Sequence, residues 1–226
     1  ILHRHLTAVN PDYAAIAYDL REPTFRHKLY DGYKANRHGM PDELAAQMPW
    51  AKKCAHALGL TELTLAGYEA DDILGTMARR AEEAGAECCI LTGDRDSLQL
   101  ISDTTCVLLA TNTETLTMDR RAFSEKYGIR PEQCVDVKAL MGDSSDNIPG
   151  VAGVGEKTAL KLISQMGTLE NVYADLAALP VGPSVRAKLE AGHESALLSR
   201  TLAQICTDAP VPSSVEDCAS HGIDRA

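Results

Sequence analysis

The sequence lacks several features that would place it in a well-defined class. No apolar run approaches the ~18 residues that a membrane-spanning helix needs, although 45% of all residues are apolar. The seven cysteines are an odd number and include no C-x-x-C pair, which argues against a disulfide framework and a zinc site. The first residue is Ile1, and no signal peptide is visible. We therefore expect a soluble protein of a reducing cytoplasm, whose chain starts upstream of the given sequence.

Positive charge is also in short supply. The chain has 22 Lys and Arg against 32 Asp and Glu, a net charge of −10 at pH 7, which is a poor starting point for a nucleic-acid binder. The cations are nevertheless dense between residues 21 and 37. The position of the charges is therefore more informative than their sum.

Two predicted strands end on acidic residues. Residues 88–92 form a short β-favouring run that is followed by Asp94 and Asp96, and residues 13–18 show the same pattern and lead into Asp19. In open α/β sheets, ligands bind at the carboxyl ends of the strands. An Asp-x-Asp after a strand is, by itself, equally consistent with turn chemistry.

Strands alternate with helices through the first 140 residues, which predicts an α/β fold with a mostly parallel central sheet covered by helices. Further strands are predicted at 61–65, 106–110 and 114–118, and helices at 41–59, 67–84, 119–127 and 131–140. Residues 141–208 are typical of helices separated by Gly and Pro, and residues 209–226 of a linker or tail.

Acidic residues occur in four places where a site could form. They are Asp19; Glu69, Asp71 and Asp72 at a predicted helix start; Asp94 and Asp96; and Asp143 and Asp146. Each group alone also suits helix capping or a turn. If the groups converge, their repulsion requires cations, and many oxygen ligands suit Mg²⁺ or Mn²⁺. Two such ions serve phosphodiester hydrolysis, so the acids predict a metal-dependent phosphoryl-transfer site.

A basic stretch interleaves cations with aromatic residues. It contains Arg26, Lys28, Lys34 and Arg37 together with Tyr30 and Tyr33. Cations bind phosphate oxygens and tyrosines stack on unpaired bases, which predicts contact with single-stranded nucleic acid. A solvated charged face with two core tyrosines is an equally good interpretation.

A glycine-rich segment at 148–161 leads directly into a predicted amphipathic helix. Such a hairpin presents bare backbone amides at a helix N-terminus, where phosphate binds well. The candidate DNA-contacting residues are Gly150, Val151, Gly153, Gly155, Lys157, Thr158 and Lys161. The segment is similar to the helix-hairpin-helix element that grips duplex DNA, although a tight helix-helix turn also fits. It is not a Walker A loop, because the G-x-x-x-x-G-K-[ST] spacing is absent.

Taken together, these motifs resemble those of the 5′ nuclease domain of bacterial DNA polymerase I, within the flap endonuclease superfamily. The matching stretches lie within residues 10–208, at 17–19, 30–37, 67–72, 92–96 and 142–151. The resemblance implies a PIN-like catalytic core at 1–140, a basic arch at about 23–40 that passes single-stranded DNA, and a helix-hairpin-helix module at 141–208. Residues 209–226 would then be a linker or tail.

The resemblance also implies roles for individual residues. Glu69, Asp71, Asp72 and Asp94 would hold the metal ion nearer the chemistry, and Asp96, Asp143 and Asp146 the second, while Asp19 matches the acid after the family's second strand. Lys34 and Arg37 would engage the scissile phosphate, Tyr33 would stack on a substrate base, and the glycine hairpin would hold K⁺.

The implied substrates are 5′ flaps, nicked duplexes and RNA primer–DNA junctions, cut by a metal-activated water to leave 5′-phosphate and 3′-hydroxyl ends. The implied protein is monomeric, cytoplasmic and bacterial, works in replication and repair, contacts no membrane, and carries a polymerase domain in the same chain.

One departure from the family pattern affects the expected activity. The family's first strand and its Asp lie upstream of Ile1, so we expect this fragment to be impaired and to regain Mg²⁺-dependent cleavage when the upstream segment is restored.

Three other functions fit part of the pattern. The first is a non-catalytic DNA-binding module, which metal titration would distinguish from an enzyme. The second is a glycosyltransferase-like enzyme with a metal-binding Asp-x-Asp, which leaves the hairpin unexplained. The third is a PIN-type ribonuclease, which leaves residues 141–208 unexplained.

Overall fold

The computed structural model describes residues 1–37 and 39–220, which divide into two compact units. The first unit combines residues 1–24, 39–85 and 206–220, and the second combines residues 25–37 and 86–205. Each unit therefore contains segments that are far apart in the sequence.

Strands and helices are mixed over the first half of the chain, and helices predominate in the second half. The strands are β1 Ala15–Ala17, β2 Thr61–Leu63, β3 Cys88–Thr92, β4 Thr105–Ala110 and β5 Thr115–Met118. The helices are α1 Leu2–Val9, α2 Phe25–Leu29, α3 Asp42–Ala45, α4 Met48–Ala57, α5 Ala70–Glu83, α6 Arg120–Tyr127, α7 Cys134–Met141, α8 Glu156–Met166, α9 Leu169–Ala174, α10 Pro183–Ala191 and α11 His193–Ala203. The α/β fold class and the helical character of the second half are confirmed.

The strands form two sheets rather than one central sheet in the described residues. In the first unit β1 pairs with β2 in parallel. In the second unit β3 pairs with β4 in parallel, and β4 pairs with β5 in antiparallel fashion. The predicted parallel character is thus confirmed for two of the three strand pairs.

The helix α5 of the first unit begins with a capping box. Glu69 is its N-cap, and the side chains of Glu69 and Asp72 reciprocally accept each other's backbone N–H groups. The apolar face of α5 then places Ile73 and Ala78 in the interior. This cap fixes where the helix starts and therefore where its acidic residues lie.

The predicted linker or tail at 209–226 is wrong for the part of it that the structure describes. Ala209, Val211 and Cys218 pack in one hydrophobic cluster with Leu63 and Ile73. Polar contacts also hold this segment, because Arg80 donates to the carbonyl oxygens at 211 and 213 and residue 219 forms a β-bridge with residue 13. The short Pro-Ser composition suggested a linker, but its spaced apolar residues are enough to bury it. Residues 221–226 lie outside the described residues.

The second unit packs its helices around fully buried leucines. Leu140 of α7, Leu162 of α8 and Leu189 of α10 are each 0% exposed. The N-cap of α6 is Asp119, whose side chain accepts the Ala122 N–H. These helices provide the scaffold for the loop that contains Asp143.

Among the residues that the structure describes, no helix has the length and apolar character needed to cross a membrane.

We predict that Thr76→Val destabilises the protein. The Thr76 hydroxyl, 2% exposed, accepts the Ala209 N–H at 3.0 Å. Valine keeps the shape but leaves this buried N–H unpaired, at a cost of about 1–3 kcal/mol in the free energy of unfolding. Denaturant unfolding measures the change. Thr76→Ser, which keeps the hydroxyl, is the matched control and should lose less; an unchanged midpoint for the valine variant would contradict the described packing of residues 206–220.

Candidate active site

Asp19 is brought to the start of α5 in the first unit. It lies two residues beyond the end of β1 and is exposed, and its Oδ1 accepts the Ala70 N–H at 2.8 Å. The N-terminus of a helix favours negative charge, because its first N–H groups point outward. Asp19 therefore lies beside the acidic stretch that opens α5.

Asp72 has a structural part in this stretch. It is 0% exposed, its Oδ2 accepts the Glu69 N–H at 3.0 Å, and its Oδ1 accepts the Cys206 N–H at 2.8 Å. Glu69 is also buried, while Asp71 is half-buried. Metal ligation by these residues stays a prediction, and the observed bonds show that Asp72 at least orders the loop.

In the second unit, the loop after β3 presents Asp94 and Asp96. The Asp94 carboxylate accepts the Asp96 N–H at 2.9 Å, which folds the loop into a tight Asp turn. Asp94 is exposed and Asp96 is half-buried. The structure is thus compatible with both interpretations of the Asp-x-Asp pattern. Asp94 makes a turn, and both acids lie at the end of the strand, where a ligand site is expected.

Lys138 of α7 lies between two of the predicted metal ligands. Its Nζ is 2.5 Å from Asp96 Oδ1 and 2.6 Å from Asp143 Oδ2. Burial favours the neutral forms of all three groups, but the two carboxylates raise the pKa of Lys138. This lysine was missed in the sequence, where its position in the last turn of the helix before the acidic motif was the available signal.

The two acids respond differently to the same lysine. Burial raises the pKa of Asp96, and Lys138 only partly offsets that effect. Burial would also raise the pKa of Asp143, but hydrogen bonds from Lys138 and Ser145 together outweigh it and hold that pKa at about 2. Asp143 is therefore the more firmly ionised of the pair.

Asp146 is the meeting point of the predicted phosphate-binding cations. Arg37 Nη2 donates to Asp146 Oδ1, and Lys34 Nζ lies 3.8 Å from Oδ2. The Asp146 side chain is only 10% exposed, so the cations compensate a carboxylate that is largely removed from water. The structure thus places Lys34 and Arg37 next to a predicted metal ligand of the same unit.

Tyr33 does not have the predicted role in stacking on a substrate base. It is 3% exposed and packs with Val135, Ile148 and Leu202, and its hydroxyl lies 3.4 Å from Asp146. An aromatic ring in a core cluster presents no free face to a base. The alternative of a core tyrosine, which the sequence left open, is correct here.

Arg26 is likewise wrong as a DNA contact. It is 2% exposed, and its guanidinium donates to the carbonyl oxygens of Leu202 at 2.9 Å and Gln204 at 2.6 Å. Its donors are used to tie the basic stretch to the end of α11. Lys28, in contrast, is exposed and stays a candidate.

The glycine-rich segment is divided between a buried and an exposed part. The Gly150 N–H donates to Ser199 Oγ at 2.8 Å and the Val151 N–H donates to Leu140 O at 2.8 Å, so neither is available to phosphate. Gly150 has a φ of +61° and a Cβ there would collide with the Gly142 backbone, so glycine is required for packing. The predictions that Gly150 and Val151 bind DNA are therefore wrong.

The rest of that segment remains open. Gly153, Gly155, Lys157 and Lys161 are exposed, and Thr158 is half-buried. Gly155 is the N-cap of α8 and makes no side-chain cap hydrogen bond. Gly155 therefore offers no side-chain acceptor to the first N–H groups of α8.

A cleft of about 750 Å³ opens beside the acids of the second unit. Its lining includes Asp94, Asp96 and Asp143, and Phe123, Tyr127 and Leu160 contribute apolar surface. In the residues described, no three His, Cys, Asp or Glu side chains are arranged around a common ion position. The acids instead share lysine, arginine and backbone donors.

We predict that Lys138→Met makes the protein's stability depend more on divalent metal. Without the ammonium, Asp96 and Asp143 lose their shared cation, which should cost about 2 kcal/mol of unfolding free energy in EDTA. Mg²⁺ can then replace the missing charge, so the Mg²⁺-induced rise in Tm should exceed that of the parent chain. Thermal unfolding with Mg²⁺ and with EDTA measures this, with Lys138→Arg as control. Equal Mg²⁺ shifts in all three proteins would contradict a cation role for Lys138.

Comparison with known proteins assigns both halves of the chain. A family model described as "5'-3' exonuclease, N-terminal resolvase-like domain" matches residues 1–128, and one described as "5'-3' exonuclease, C-terminal SAM fold" matches residues 129–226. DNA polymerase I of Bacillus caldotenax is 44% identical over 229 residues, which cover 100% of this chain and 26% of that protein. The chain thus spans about a quarter of the length of this relative.

Two solved structures have the same fold. T5 5′-exonuclease with bound zinc gives a TM-score of 0.76 at 22% identity and covers 91% of this chain and 79% of that chain. The T5 flap endonuclease in a complex with DNA and metal ions gives a TM-score of 0.75 at 22% identity, over 91% of this chain and 78% of that chain. With family models matching residues 1–128 and 129–226, the resemblance drawn from the sequence is confirmed, and the chain belongs to the 5′-3′ exonuclease family, with bacterial DNA polymerase I among its relatives.

Proposed function

We propose that this chain is a metal-dependent, structure-specific 5′ nuclease that hydrolyses DNA phosphodiesters near single-strand to duplex junctions. Its cellular work would be RNA primer removal and DNA repair, on 5′ flaps, nicked duplexes and primer–DNA junctions. The observation that carries the proposal is the cleft of about 750 Å³ whose wall contains Asp94, Asp96 and Asp143. The carboxylates of this cleft would repel a phosphodiester, so binding one there requires cations that compensate the negative charges.

The donor set suits hard divalent ions. Every predicted ligand is a carboxylate, which favours Mg²⁺ or Mn²⁺ over softer metals. We propose two ions, with Asp19, Glu69, Asp71 and Asp72 as the candidate ligands in the first unit and Asp94, Asp96, Asp143 and Asp146 as those in the second. Bound ions of this kind lower the pKa of a water molecule and neutralise the leaving oxygen. One of the two T5 structures holds zinc and the other holds DNA and metal ions, which supports metal and DNA as ligands here.

Lys34 and Arg37 would orient the scissile phosphate. Both cations form ion pairs with Asp146, which is one of the predicted metal ligands. They therefore lie close to a position where a metal-bound phosphate would be expected. A phosphate offers them further oxygens, with Arg37 able to bind two of them at once. The two cations would increase the rate of cleavage by holding the phosphate in one position and by compensating the negative charge that develops in the transition state.

The exposed part of the glycine hairpin would hold the duplex. The uncapped start of α8 provides backbone N–H groups, and Lys157 and Lys161 add positive charge one helical turn apart. A K⁺ ion at the hairpin carbonyls remains part of the proposal. It would compete with Lys188, whose Nζ lies 3.2 Å from the Gly153 carbonyl oxygen.

The larger protein is also a matter of proposal. We propose that residues 1–140 form the catalytic core and residues 141–208 the DNA-binding module. The whole protein would be a monomeric bacterial protein of the cytoplasm with a polymerase domain in the same chain. The relative named DNA polymerase I, of which the chain matches 26%, supports the polymerase domain and the bacterial setting.

We predict that Asp94→Asn lowers the turnover of a 5′-labelled flap duplex by about a hundredfold or more, because a neutral amide of the same shape cannot compensate metal charge. Affinity for the flap should be unchanged or higher, since one negative charge near the phosphates is lost. Single-turnover cleavage and fluorescence anisotropy measure the two quantities separately.

Glu114→Gln is the control for this variant, because Glu114 is an exposed acid in the turn between β4 and β5. It should leave both quantities unchanged. Full turnover of the Asp94→Asn variant in Mg²⁺ would remove Asp94 from the proposed mechanism.

We also predict that Lys157→Ala and Lys161→Ala each weaken duplex binding and reduce the slope of log K against log salt by about 0.9. Each lysine that contacts a phosphate releases about one counterion. Lys126→Ala is the matched control, since Lys126 is exposed on α6 outside the hairpin. An unchanged slope for both hairpin variants would show that this hairpin does not contact the duplex.

A further inference from the structure

Two cysteines face each other across the parallel strands of the second unit. Cys89 of β3 and Cys106 of β4 are direct partners in the ladder, and their Sγ atoms are 3.2 Å apart. Both are free thiols in the structure. Neither cysteine has a part in the proposed nuclease chemistry.

The backbone geometry of this pair suits a covalent link. Neighbouring strands lie about 4.8 Å apart, and a disulfide spans Cα separations of about 4.4 to 6.8 Å. The sulfur atoms already touch in an S–H···S contact, so a bond needs only small side-chain rotations. The ladder therefore holds both thiols in place for reaction with each other.

The contact also activates one thiol. The hydrogen bond from Cys106 lowers the pKa of Cys89 to about 7, against the opposing effects of burial and of Glu87. The same contact raises the pKa of Cys106, which keeps its proton. Cys89 is exposed, so a reactive thiolate and a partner thiol are both accessible from the solvent side of the strand.

The other nearby thiol lacks these properties. Cys88 is adjacent to Cys89 in the sequence, but successive residues of a strand point to opposite faces of the sheet. Burial raises its pKa to about 11, and its ladder partner is Thr105. The pairing and the activation are thus specific to Cys89 and Cys106.

We infer that Cys89 and Cys106 form an oxidisable dithiol that reacts with hydrogen peroxide and closes to a cross-strand disulfide. In the first step the Cys89 thiolate attacks one peroxide oxygen, the O–O bond breaks, and the departing hydroxide takes a proton to become water. In the second step Cys106 sulfur attacks the resulting S–OH, the S–O bond breaks, and the hydroxide leaves with the Cys106 proton as water. The two thiols lose two hydrogens, and one peroxide is reduced to two waters.

The link would enclose the loop that carries Asp94 and Asp96. Both residues lie between Cys89 and Cys106 in the sequence, and β3 ends two residues before Asp94. A covalent ring restricts the unfolded chain, so the oxidised protein should unfold at a higher temperature than the reduced one. Oxidation would thus act on the scaffold of the acidic loop and not on its carboxylates.

The test is to treat the chain with hydrogen peroxide, block the remaining thiols with iodoacetamide and identify the cross-linked peptides by mass spectrometry. We expect an intact mass lower by two hydrogens before alkylation, one Cys89–Cys106 linked peptide, and unlinked, alkylated Cys54. Cys54 is the internal control because it is exposed on α4, in the other unit. Dithiothreitol should restore the mass and lower the Tm to that of the untreated chain.

The single variants make the inference falsifiable in a second way. Cys106→Ser should stop at an oxidised Cys89 with no intramolecular link, and Cys89→Ser should leave Cys106 reduced. If either variant fails to fold, the rates of iodoacetamide labelling in the parent chain still test whether Cys89 is the activated thiol. Cys89 is expected to react fastest. Random disulfides, labelling of Cys54 ahead of Cys89, or peroxide-treated protein with all thiols intact would each overturn the proposal.

Discussion

The structure depends on neutralising a concentration of carboxylates in places where water cannot do so fully. Lys138 supplies the cation for Asp96 and Asp143, and Arg37 with Lys34 supplies it for Asp146. Without such partners, half-buried acids would repel one another and oppose folding. Under the nuclease proposal, Lys34 and Arg37 would also orient the scissile phosphate, so the cations that compensate Asp146 would take part in substrate binding as well.

The positions of most acidic residues relative to strands, helices and turns could be predicted from local sequence patterns. The strand before Asp94, the helix after Glu69 and the turn around Asp143 each follow from short-range rules of periodicity, capping and turn chemistry. These rules place an acidic residue at the end of an element without any knowledge of tertiary contacts. The family resemblance, which depends on the same short motifs, was confirmed over the whole chain.

What could not be predicted depends on contacts between residues far apart in the sequence. Tyr33 and Arg26 look like exposed nucleic-acid contacts in a basic stretch, but the end of α11 covers both of them. The segment after residue 208 looks like a linker until Leu63 and Ile73 are seen beneath it. Gly150 presents no free N–H because Ser199, 49 residues away, takes it. Local composition does not contain these partners.

The most direct test of the nuclease proposal is cleavage of a 5′-labelled flap duplex, with its blunt duplex as control, in Mg²⁺ and in EDTA, by this chain and by the chain with the family's upstream segment restored. The account predicts that the restored chain cuts near the junction of the flap in Mg²⁺ and not in EDTA, and that both chains bind the flap. Binding without cleavage by the restored chain in Mg²⁺ and in Mn²⁺ would contradict it, because the chain would then be a DNA-binding module.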